Sequence, residues 1–360
     1  KLVEFAGTGE TGSPKQNGYA DEMTFPSQMY DMLVDKKNQV WFIGNNGVLG
    51  FITDEFRHES FLDGLITYRL YKERVKDLGK ITGMIQDPKT DEFLMVQTNQ
   101  NRVIRVNPET GDITVIAGTG ESGFNGDGPA LERQMNQPHD LAMDSKGNIY
   151  VTDTGNHLIW KITPEGDMRI FAGEYVLDTN TDEGDGNPSY EPLGVTTGDD
   201  GFRQNARLDT PTKMIVGPDD AVYFLSDSET IRRIYNDRIE RYAGSGEEGY
   251  NGEGVRAERA HLDDPIDLLI GPDGLLYISD LENYRIRRIR QGTDSLYLDT
   301  IAGNGRHGSY SDAIANPLKA EFEAILMAFD QDNRLLIYDK NSLRIRVFEQ
   351  NIEESNGDES

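Results

Sequence analysis

The chain has 360 residues, and its 63 Asp and Glu against 36 Lys and Arg give a formal net charge of −27. An acidic surface of this size repels phosphate backbones, so we expect no nucleic acid partner. Cysteine is absent, which excludes disulfides, thiolate metal sites and a cysteine nucleophile, and no apolar run approaches the roughly 18 residues of a membrane span.

The predicted elements form a repeat, and its most regular mark is a strand that ends in Ala-Gly. These endings lie at 6–7, 117–118, 172–173, 243–244 and 302–303, so the spacings are 111, 55, 71 and 59 residues. The first spacing is about twice the others and therefore contains a degenerate unit. One more unit fits after the last ending, which makes six.

Each unit continues with a Gly-rich loop and then short apolar strands separated by turns. In chain order the predicted strands are 31–35 and 40–43, 83–87 and 92–96, 140–144, 148–153 and 157–162, 214–216, 221–227 and 231–234, 267–270, 275–280 and 284–289, and 326–330, 335–339 and 343–348. The pattern is clearest in units three, five and six.

Six units of four short strands predict an all-β fold, a six-bladed β-propeller of four-stranded antiparallel blades. The last unit ends at its third strand, near 344–348, and strand 2–5 at the other end of the chain is left over. Pairing these two strands closes the ring and removes two sheet edges. We therefore predict one propeller domain over residues 1–348 and an acidic C-terminal tail over 349–360.

The run from Pro138 to Ile159, with its Gly147-Asn-Ile-Tyr-Val-Thr-Asp153 core, resembles an NHL repeat. The loop from Ala117 to Ala130 is similar to the connector of many bacterial NHL proteins. The resemblance extends over nearly the whole chain and implies a TolB-like propeller of the bacterial, secreted or surface-anchored type. It implies an extracytoplasmic monomer, periplasmic or on the outer surface, whose signal sequence has been removed. It leaves the activity open, because propellers serve as enzymes, receptors and scaffolds.

The first strands of a propeller line its central channel, so the residues that enter them should ring one mouth. In units one to six these residues are Asp31, Gly83, Asp140, Lys213, Asp267 and Ile325. With the adjacent His139, the three aspartates and Lys213 are candidate ligand-binding residues. Asp31, Asp140 and Asp267 are also a candidate metal site, with Ca²⁺ as the ion that oxygen ligands favour. The alternative is a hydrated, salt-bridged channel lining.

Aromatic residues follow glycine in several of the loops, as in Gly123-Phe124 and Gly249-Tyr250, and also in Gly18-Tyr19 and Gly201-Phe202. Phe124 and Tyr250 are candidates for stacking on sugar rings, because an aromatic face is apolar with polar neighbours. The alternative is that each ring anchors its own loop against its own blade.

An aspartate closes the second strand in four units, and we expect a structural role for each. These residues are Asp153, Asp227, Asp280 and Asp339, and an aspartate at such a place commonly bonds the backbone of the following turn. In two units an arginine follows at the same offset, which predicts the pairs Asp280–Arg285 and Asp339–Arg344.

These features favour a non-catalytic, extracytoplasmic binding propeller that recognises a glycan or a protein partner. The alternative is a metal-dependent hydrolase or lyase, similar to lactonase propellers, with its site at the channel mouth. Of the five histidines only His139 lies at the predicted mouth, whereas a zinc site needs several converging histidines. No Gly-x-Ser-x-Gly nucleophile motif is present.

Overall fold

The computed structural model describes residues 2–8, 10, 17–19, 24–26, 28–45, 48–54, 66–70, 78–175, 177–178, 191–192, 197–227, 229–308 and 316–348. Its strands form six blades and one separate two-stranded ribbon. Blades 1 to 3 comprise β2 (Asn17–Tyr19), β3 (Met29–Val34), β4 (Val40–Gly44), β5 (Val48–Asp54) and β6 (Ile66–Leu70), then β7 (Ile81–Gln86), β8 (Phe93–Gln97), β9 (Arg102–Val106) and β10 (Ile113–Ala117), then β11 (Gly128–Pro129), β12 (Pro138–Met143), β13 (Ile149–Asp153), β14 (Leu158–Ile162) and β15 (Asp167–Ala172).

The remaining strands complete the ring in the same order. After the ribbon of β16 (Leu177–Asp178) and β17 (Glu191–Pro192), blades 4 to 6 comprise β18 (Gly201–Phe202), β19 (Met214–Val216), β20 (Val222–Ser226), β21 (Thr230–Tyr235) and β22 (Arg238–Ala243), then β23 (Val255–Arg256), β24 (Pro265–Ile270), β25 (Leu276–Asp280), β26 (Arg285–Gln291) and β27 (Leu296–Ala302), then β28 (Ala324–Phe329), β29 (Leu335–Asp339), β30 (Arg344–Phe348) and β1 (Leu2–Ala6).

Six apolar clusters lie between neighbouring blades, one at each interface of the ring. Each joins side chains of two adjacent blades, and one cluster joins blade 6 to blade 1. The second strand of every blade is buried along its whole length, because neighbouring blades cover both of its faces. This explains why these strands are continuous apolar runs rather than alternating ones.

The ring closes as the sequence predicts. Strand β1 pairs antiparallel with β30, with Val3 opposite Val347 and Leu2 opposite Phe348. The all-β, six-bladed propeller closed by the N-terminal strand is therefore confirmed. Residues 349–360, the predicted acidic tail, lie outside the described residues.

The repeated Ala-Gly ending has a steric cause. Each alanine is completely buried, and each following glycine has a φ between 84° and 109°. A Cβ on these glycines would lie between 2.1 and 2.8 Å from the backbone carbonyl oxygen of the residue just before the third strand. Only glycine avoids that contact at a positive φ, which explains the mark at the ends of five fourth strands; β6 of blade 1 ends at Leu70 without it.

Four blades carry a fifth strand that the repeat does not predict. Strands β2, β11, β18 and β23 pair with β6, β15, β22 and β27, the fourth strands of their own blades. Each comes from the connector that precedes the blade. Blades 2 and 6 have four strands among the described residues.

No helix among the residues that the structure describes is long and apolar enough to cross a membrane.

Candidate functional site

A β-bulge at the start of the first strands sets which side chains point to the axis. The register shifts between Met29 and Asp31 in β3, and between Pro265 and Asp267 in β24. The same shift in β28 lies between Ala324 and Leu326. The blade 6 position equivalent to Asp267 is therefore Leu326, and the sequence-based choice of Ile325 is wrong by the one bulged residue.

The structure brings the other predicted axial residues together around one ammonium group. Lys213 Nζ lies 3.1 Å from Asp31 Oδ1, 3.5 Å from Asp267 Oδ1 and 3.7 Å from Asp140 Oδ2. The three aspartates are only 2–3 % exposed. We call these four residues the axial cluster; it is buried inside the channel, not at an open mouth.

Each axial carboxylate also holds two blades together. Asp31 Oδ2 accepts a hydrogen bond of 2.6 Å from the Met84 backbone N–H in the next blade. Asp140 accepts one from Met214 N–H at 2.8 Å, and Asp267 accepts one from Met327 N–H at 2.6 Å. The carboxylates of blades 1, 3 and 5 therefore bind the first strands of blades 2, 4 and 6.

Gly83 leaves the space that the Asp140 side chain occupies. A Cβ at position 83 would lie 2.2 Å from Asp140 Oδ1 and 2.8 Å from its Cα. Sequence reasoning recorded Gly83 only as the blade 2 member of the ring and missed this packing role, which could be found only by placing neighbouring first strands side by side.

Burial dominates the electrostatics of the cluster. It raises the pKa of Asp140 to about 7, with Asp31 adding to the rise while Lys213 and backbone N–H groups oppose it. It raises the pKa of Asp267 to about 6, again opposed by Lys213. Burial by itself would lower the pKa of Lys213, but the three carboxylates hold it well above its usual value. The lysine is therefore charged, and the cluster carries an excess of negative charge.

Residues of the first strands line two cavities, and the axial cluster lines only one of them. Residues that follow it in the first strands, such as Met32, Met84 and Met214, line a cavity of about 500 Å³ together with the cluster itself. Residues that precede it line a second cavity of about 360 Å³, which we call the His139 cavity. Its polar and apolar lining residues are Gln28, Met29, Tyr30, Thr82, His139, Thr210, Thr212, Asp264, Pro265, Ile266, Leu281, Ile325, Leu326, Tyr338 and Lys340.

The His139 side chain is one of the residues that line this cavity. Its Nδ1 atom is buried and has no hydrogen-bond partner among the described residues. Burial lowers the pKa of His139 to about 4, and the positive charges of Lys213 and Lys80 add to that effect. At neutral pH the imidazole is therefore uncharged. Its backbone carbonyl oxygen is held by the Thr82 hydroxyl, which fixes this part of the wall.

The proposed metal role of Asp31, Asp140 and Asp267 stays a prediction. Among the described residues, no group of three or more histidine, aspartate or glutamate side chains has the arrangement of a metal site. The Lys213 ammonium lies within 4 Å of all three carboxylates, so a Ca²⁺ ion between them would meet a neighbouring positive charge. The Lys213 ammonium would therefore compete with a Ca²⁺ ion for these three carboxylates.

The two candidate sugar-stacking rings pack against their own blades. Phe124 stacks on Tyr175 at 3.8 Å between centroids and on Trp160 at 5.7 Å. The Arg285 guanidinium lies 3.8 Å from the centroid of the Tyr250 ring, which keeps 39 % of its surface exposed. These contacts agree with the anchoring interpretation, and sugar stacking stays a prediction.

The other two glycine-aromatic pairs are not equivalent to these. Gly201-Phe202 forms β18, and Tyr19 ends β2, so both belong to fifth strands. Phe124 and Tyr250 instead lie in loops that precede the fifth strands of their blades. The four glycine-aromatic pairs therefore lie at two different positions in their connectors.

The repeated aspartates are bound inside their own blades. Asp153 accepts hydrogen bonds of 2.7 Å from Asn136 N–H, Asn156 Nδ2 and Trp160 Nε1. Asp280 pairs with Arg287 at 3.1 Å, and Asp339 pairs with Arg346 at 3.1 Å. The predicted partners Arg285 and Arg344 are wrong, since both donate to backbone carbonyl oxygens instead.

Blade 4 departs from this arrangement. Ser226 ends its second strand, and Asp227 lies in the following turn with a φ of 52°. The buried Arg232 pairs with Asp199 of the preceding connector at 2.8 Å. The fully buried arginine thus keeps a carboxylate partner although its blade lacks the repeated one.

Comparison with known proteins agrees with the fold. The NHL repeat family matches residues 135–162. Teneurin-3 of Mus musculus is 26 % identical over 295 residues; the match covers 74 % of this chain but only 10 % of teneurin-3, so the chain spans about a tenth of that relative.

Two solved structures share the architecture at low sequence identity. An auxiliary nutrient binding protein from Bacteroides ovatus is 13 % identical with a TM-score of 0.63, covering 96 % of this chain and 75 % of that one. Virginiamycin B lyase from Staphylococcus aureus is 16 % identical with a TM-score of 0.52, covering 96 % and 98 %. At these identities the likeness concerns the fold alone. The chain is a six-bladed β-propeller in which residues 135–162 match the NHL repeat family.

Proposed function

We propose that this propeller is a non-catalytic binding protein that takes a glycan in the His139 cavity. The observation that carries the proposal is the composition of that cavity. Neutral hydrogen-bonding side chains, among them Tyr30, Thr82, His139 and Thr212, lie beside apolar ones in a space of about 360 Å³. Concave sites of this kind, apolar with a few placed polar groups, are typical of small-ligand sites.

The polar groups suit hydroxyl-rich ligands. A threonine hydroxyl and a neutral imidazole each donate or accept hydrogen bonds, as sugar hydroxyls do. Volumes from about 300 Å³ upward are usual for such pockets, so a short saccharide unit is a suitable size.

The axial carboxylates support a binding role more than a catalytic one. A general acid or base must reach the substrate, whereas Asp31, Asp140 and Asp267 are already engaged by backbone N–H groups and Lys213. These three aspartates also line the cavity of about 500 Å³ and do not line the His139 cavity. The alternative, a metal-dependent hydrolase or lyase of the lactonase kind, requires Ca²⁺ or a similar ion to bind these carboxylates.

We also propose an extracytoplasmic location and a monomeric state. The fold likeness to auxiliary nutrient binding proteins of Bacteroides supports the location. The net charge of −27 supports the monomer, since like charges oppose self-association. A protein ligand in place of a glycan is the second form of the binding hypothesis. Phe124 and Tyr250, which do not line the His139 cavity, stay candidates for stacking on sugar rings.

A polysaccharide panel in affinity electrophoresis tests the proposal. His139→Ala should weaken retention at least tenfold without lowering the unfolding midpoint, and His261→Ala, a histidine outside the cavity, is the matched control. Equal losses in both variants, or no retention of the wild type by any polysaccharide, would contradict a glycan site. Calcium titration by calorimetry tests the alternative: saturable binding that Asp140→Asn removes would favour the enzyme.

A further inference from the structure

One position in each blade decides the character of the His139 cavity wall. It is the residue directly before the axial position of the first strand, and in all six blades this residue lines the cavity. In blade order the six residues are Tyr30, Thr82, His139, Thr212, Ile266 and Ile325. Blades 1 to 4 therefore contribute polar side chains, and the adjacent blades 5 and 6 contribute two isoleucines.

A β-bulge creates this position. The ladder between first and second strands skips Tyr30 in blade 1, Thr82 in blade 2, Ile266 in blade 5 and Ile325 in blade 6. A bulged residue has no partner opposite it in the neighbouring strand. Strand pairing therefore leaves the choice of side chain open, and the same position holds a threonine in one blade and an isoleucine in another.

Further apolar side chains accompany the two isoleucines. We call Pro265, Ile266, Leu281, Ile325 and Leu326, the apolar lining residues of blades 5 and 6, the apolar arc. Within the described part of the chain, Ile266 and Leu281 are outside the six apolar clusters that join the blades. Packing between blades therefore does not account for these two residues, although Leu281 is only 7 % exposed.

The other lining residues of blades 5 and 6 do not change the character of the arc. Asp264 and Lys340 are exposed, so water solvates their charges. Tyr338 is 1 % exposed and packs in the cluster between blades 6 and 1. The surface that these two blades offer inside the cavity is therefore aliphatic rather than aromatic.

Blades 1 to 4 offer hydrogen-bonding groups instead. Met29, their apolar lining residue, is packed in the cluster between blades 6 and 1. The backbone N–H groups of Thr210 and Thr212 donate to His157 Nδ1 and to the Leu225 carbonyl oxygen. Their side-chain hydroxyls have no hydrogen-bond partner among the described residues. The backbone bonds thus fix both threonines and leave their hydroxyls for a ligand.

We propose that the saccharide in the His139 cavity carries a methyl group, as a 6-deoxy sugar or an N-acetylated amino sugar does; this inference rests on the proposed function. Hydroxyls on one edge of the sugar bond the threonines of blade 4, and the methyl group packs on the apolar arc. A branched aliphatic surface suits a methyl group, whereas the flat face of an unsubstituted sugar packs best on an aromatic ring. A hydroxyl placed against the apolar arc would lose its water without gaining a partner.

Matched sugar pairs test the inference by ligand-observed NMR on the full chain. The pairs are D-fucose against D-galactose, which differ by one hydroxyl, and N-acetyl-D-glucosamine against D-glucose. We expect the methyl-bearing member of at least one pair to bind at least about tenfold more tightly, because a methyl group in an apolar pocket is worth roughly 10- to 200-fold. Its methyl protons should receive the strongest saturation from the protein. The two pairs show whether a deoxy or an N-acetyl group supplies the methyl.

Two isoleucine variants locate the methyl group. Ile266→Thr should remove most of the preference within the pair, because it puts a hydroxyl into the apolar arc. Ile270→Thr is the matched control, since Ile270 lies on the same strand and does not line the cavity. Each variant is read as a ratio of two affinities, so a general loss of stability does not change the result.

Equal affinity within both pairs would overturn the inference, as would a preference that Ile266→Thr leaves unchanged. Failure of the proposed function looks different, because then no polysaccharide retains the wild type or His139→Ala has no effect. If polysaccharide retention depends on His139 but none of the four sugars binds, the inference alone fails.

Discussion

Two sets of buried aspartates in this propeller find the partners that a buried carboxylate needs in different places. Asp153, Asp280 and Asp339, at the ends of second strands, are each satisfied within one blade by a donor of their own. Asp31, Asp140 and Asp267 on the axis share one lysine and accept N–H groups from the next blade. The first set stabilises single blades, whereas the second joins blades to one another.

The second-strand aspartates are a feature of the repeat, because they recur from blade to blade. The axial aspartates with their shared lysine are a feature of this protein as a whole. An aspartate with donors in its own blade can recur in any blade without affecting the others. A shared lysine cannot recur, because a second one would change the charge of the whole cluster. Disturbing the axial set should therefore have larger and more pH-dependent effects.

The largest effect is expected for Lys213→Met. The change removes a cation that lies within 4 Å of all three carboxylates and leaves their buried negative charge without this compensation, which costs about 3–5 kcal/mol. Urea unfolding at pH 8 measures the loss, and Lys161→Met is the surface control. The loss should shrink at pH 5, where Asp140 is protonated; a loss equal at both pH values would contradict the electrostatic explanation.

A pH effect of similar size is expected from Asp140. Its folded pKa of about 7 exceeds the ordinary value of 3.8, so the folded state binds more protons than the unfolded state between those values. This contribution to stability is present below pH 4 and is lost as the pH rises through 7, by up to about 4 kcal/mol. Asp140→Asn should flatten that decline in unfolding experiments between pH 4 and 8, whereas Asp167→Asn should leave it unchanged.

Substitutions around the aspartates at the ends of second strands should lower stability less, because they affect only one blade. Arg287→Ala leaves Asp280 buried without its cation, although Asp263 N–H and Asn283 still bond it, so we expect a loss of about 2–3 kcal/mol. Arg285→Ala, five positions from Asp280 on the same strand as Arg287, should cost under about 1 kcal/mol. Thermal unfolding of the pair measures both, and equal losses would restore the sequence-based pairing of Asp280 with Arg285.

The smallest of the four effects is expected for Gly83→Ala, at about 1–3 kcal/mol. The added methyl group would overlap the Asp140 carboxylate, which must move away from Met214 N–H. The penalty should be smaller in an Asp140→Ala background, where part of the obstruction is gone. Additive losses in the double variant would show that the two residues do not compete for the same space.

The sequence predicts blade number, ring closure and the convergence of Asp31, Asp140 and Lys213, because these depend on spacing along the chain. The choice of Ile325 in blade 6 overlooked a spacing that the sequence contains: Leu326 precedes Asp339 by 13 residues, as Asp267 precedes Asp280. Sequence reasoning also misses the fifth strands and the partners of Asp280 and Asp339. Those depend on how a connector folds back on a blade and on which of two arginines reaches a carboxylate across a turn.

The axial cluster makes the two cavities of the channel electrically different. Asp31, Asp140, Asp267 and Lys213 line one cavity with a net negative charge, and none of them lines the His139 cavity. The first cavity therefore favours small cations over anions. The lining of the His139 cavity includes one aspartate, Asp264, and one lysine, Lys340, so it selects a solute by hydrogen bonding and shape more than by the sign of its charge.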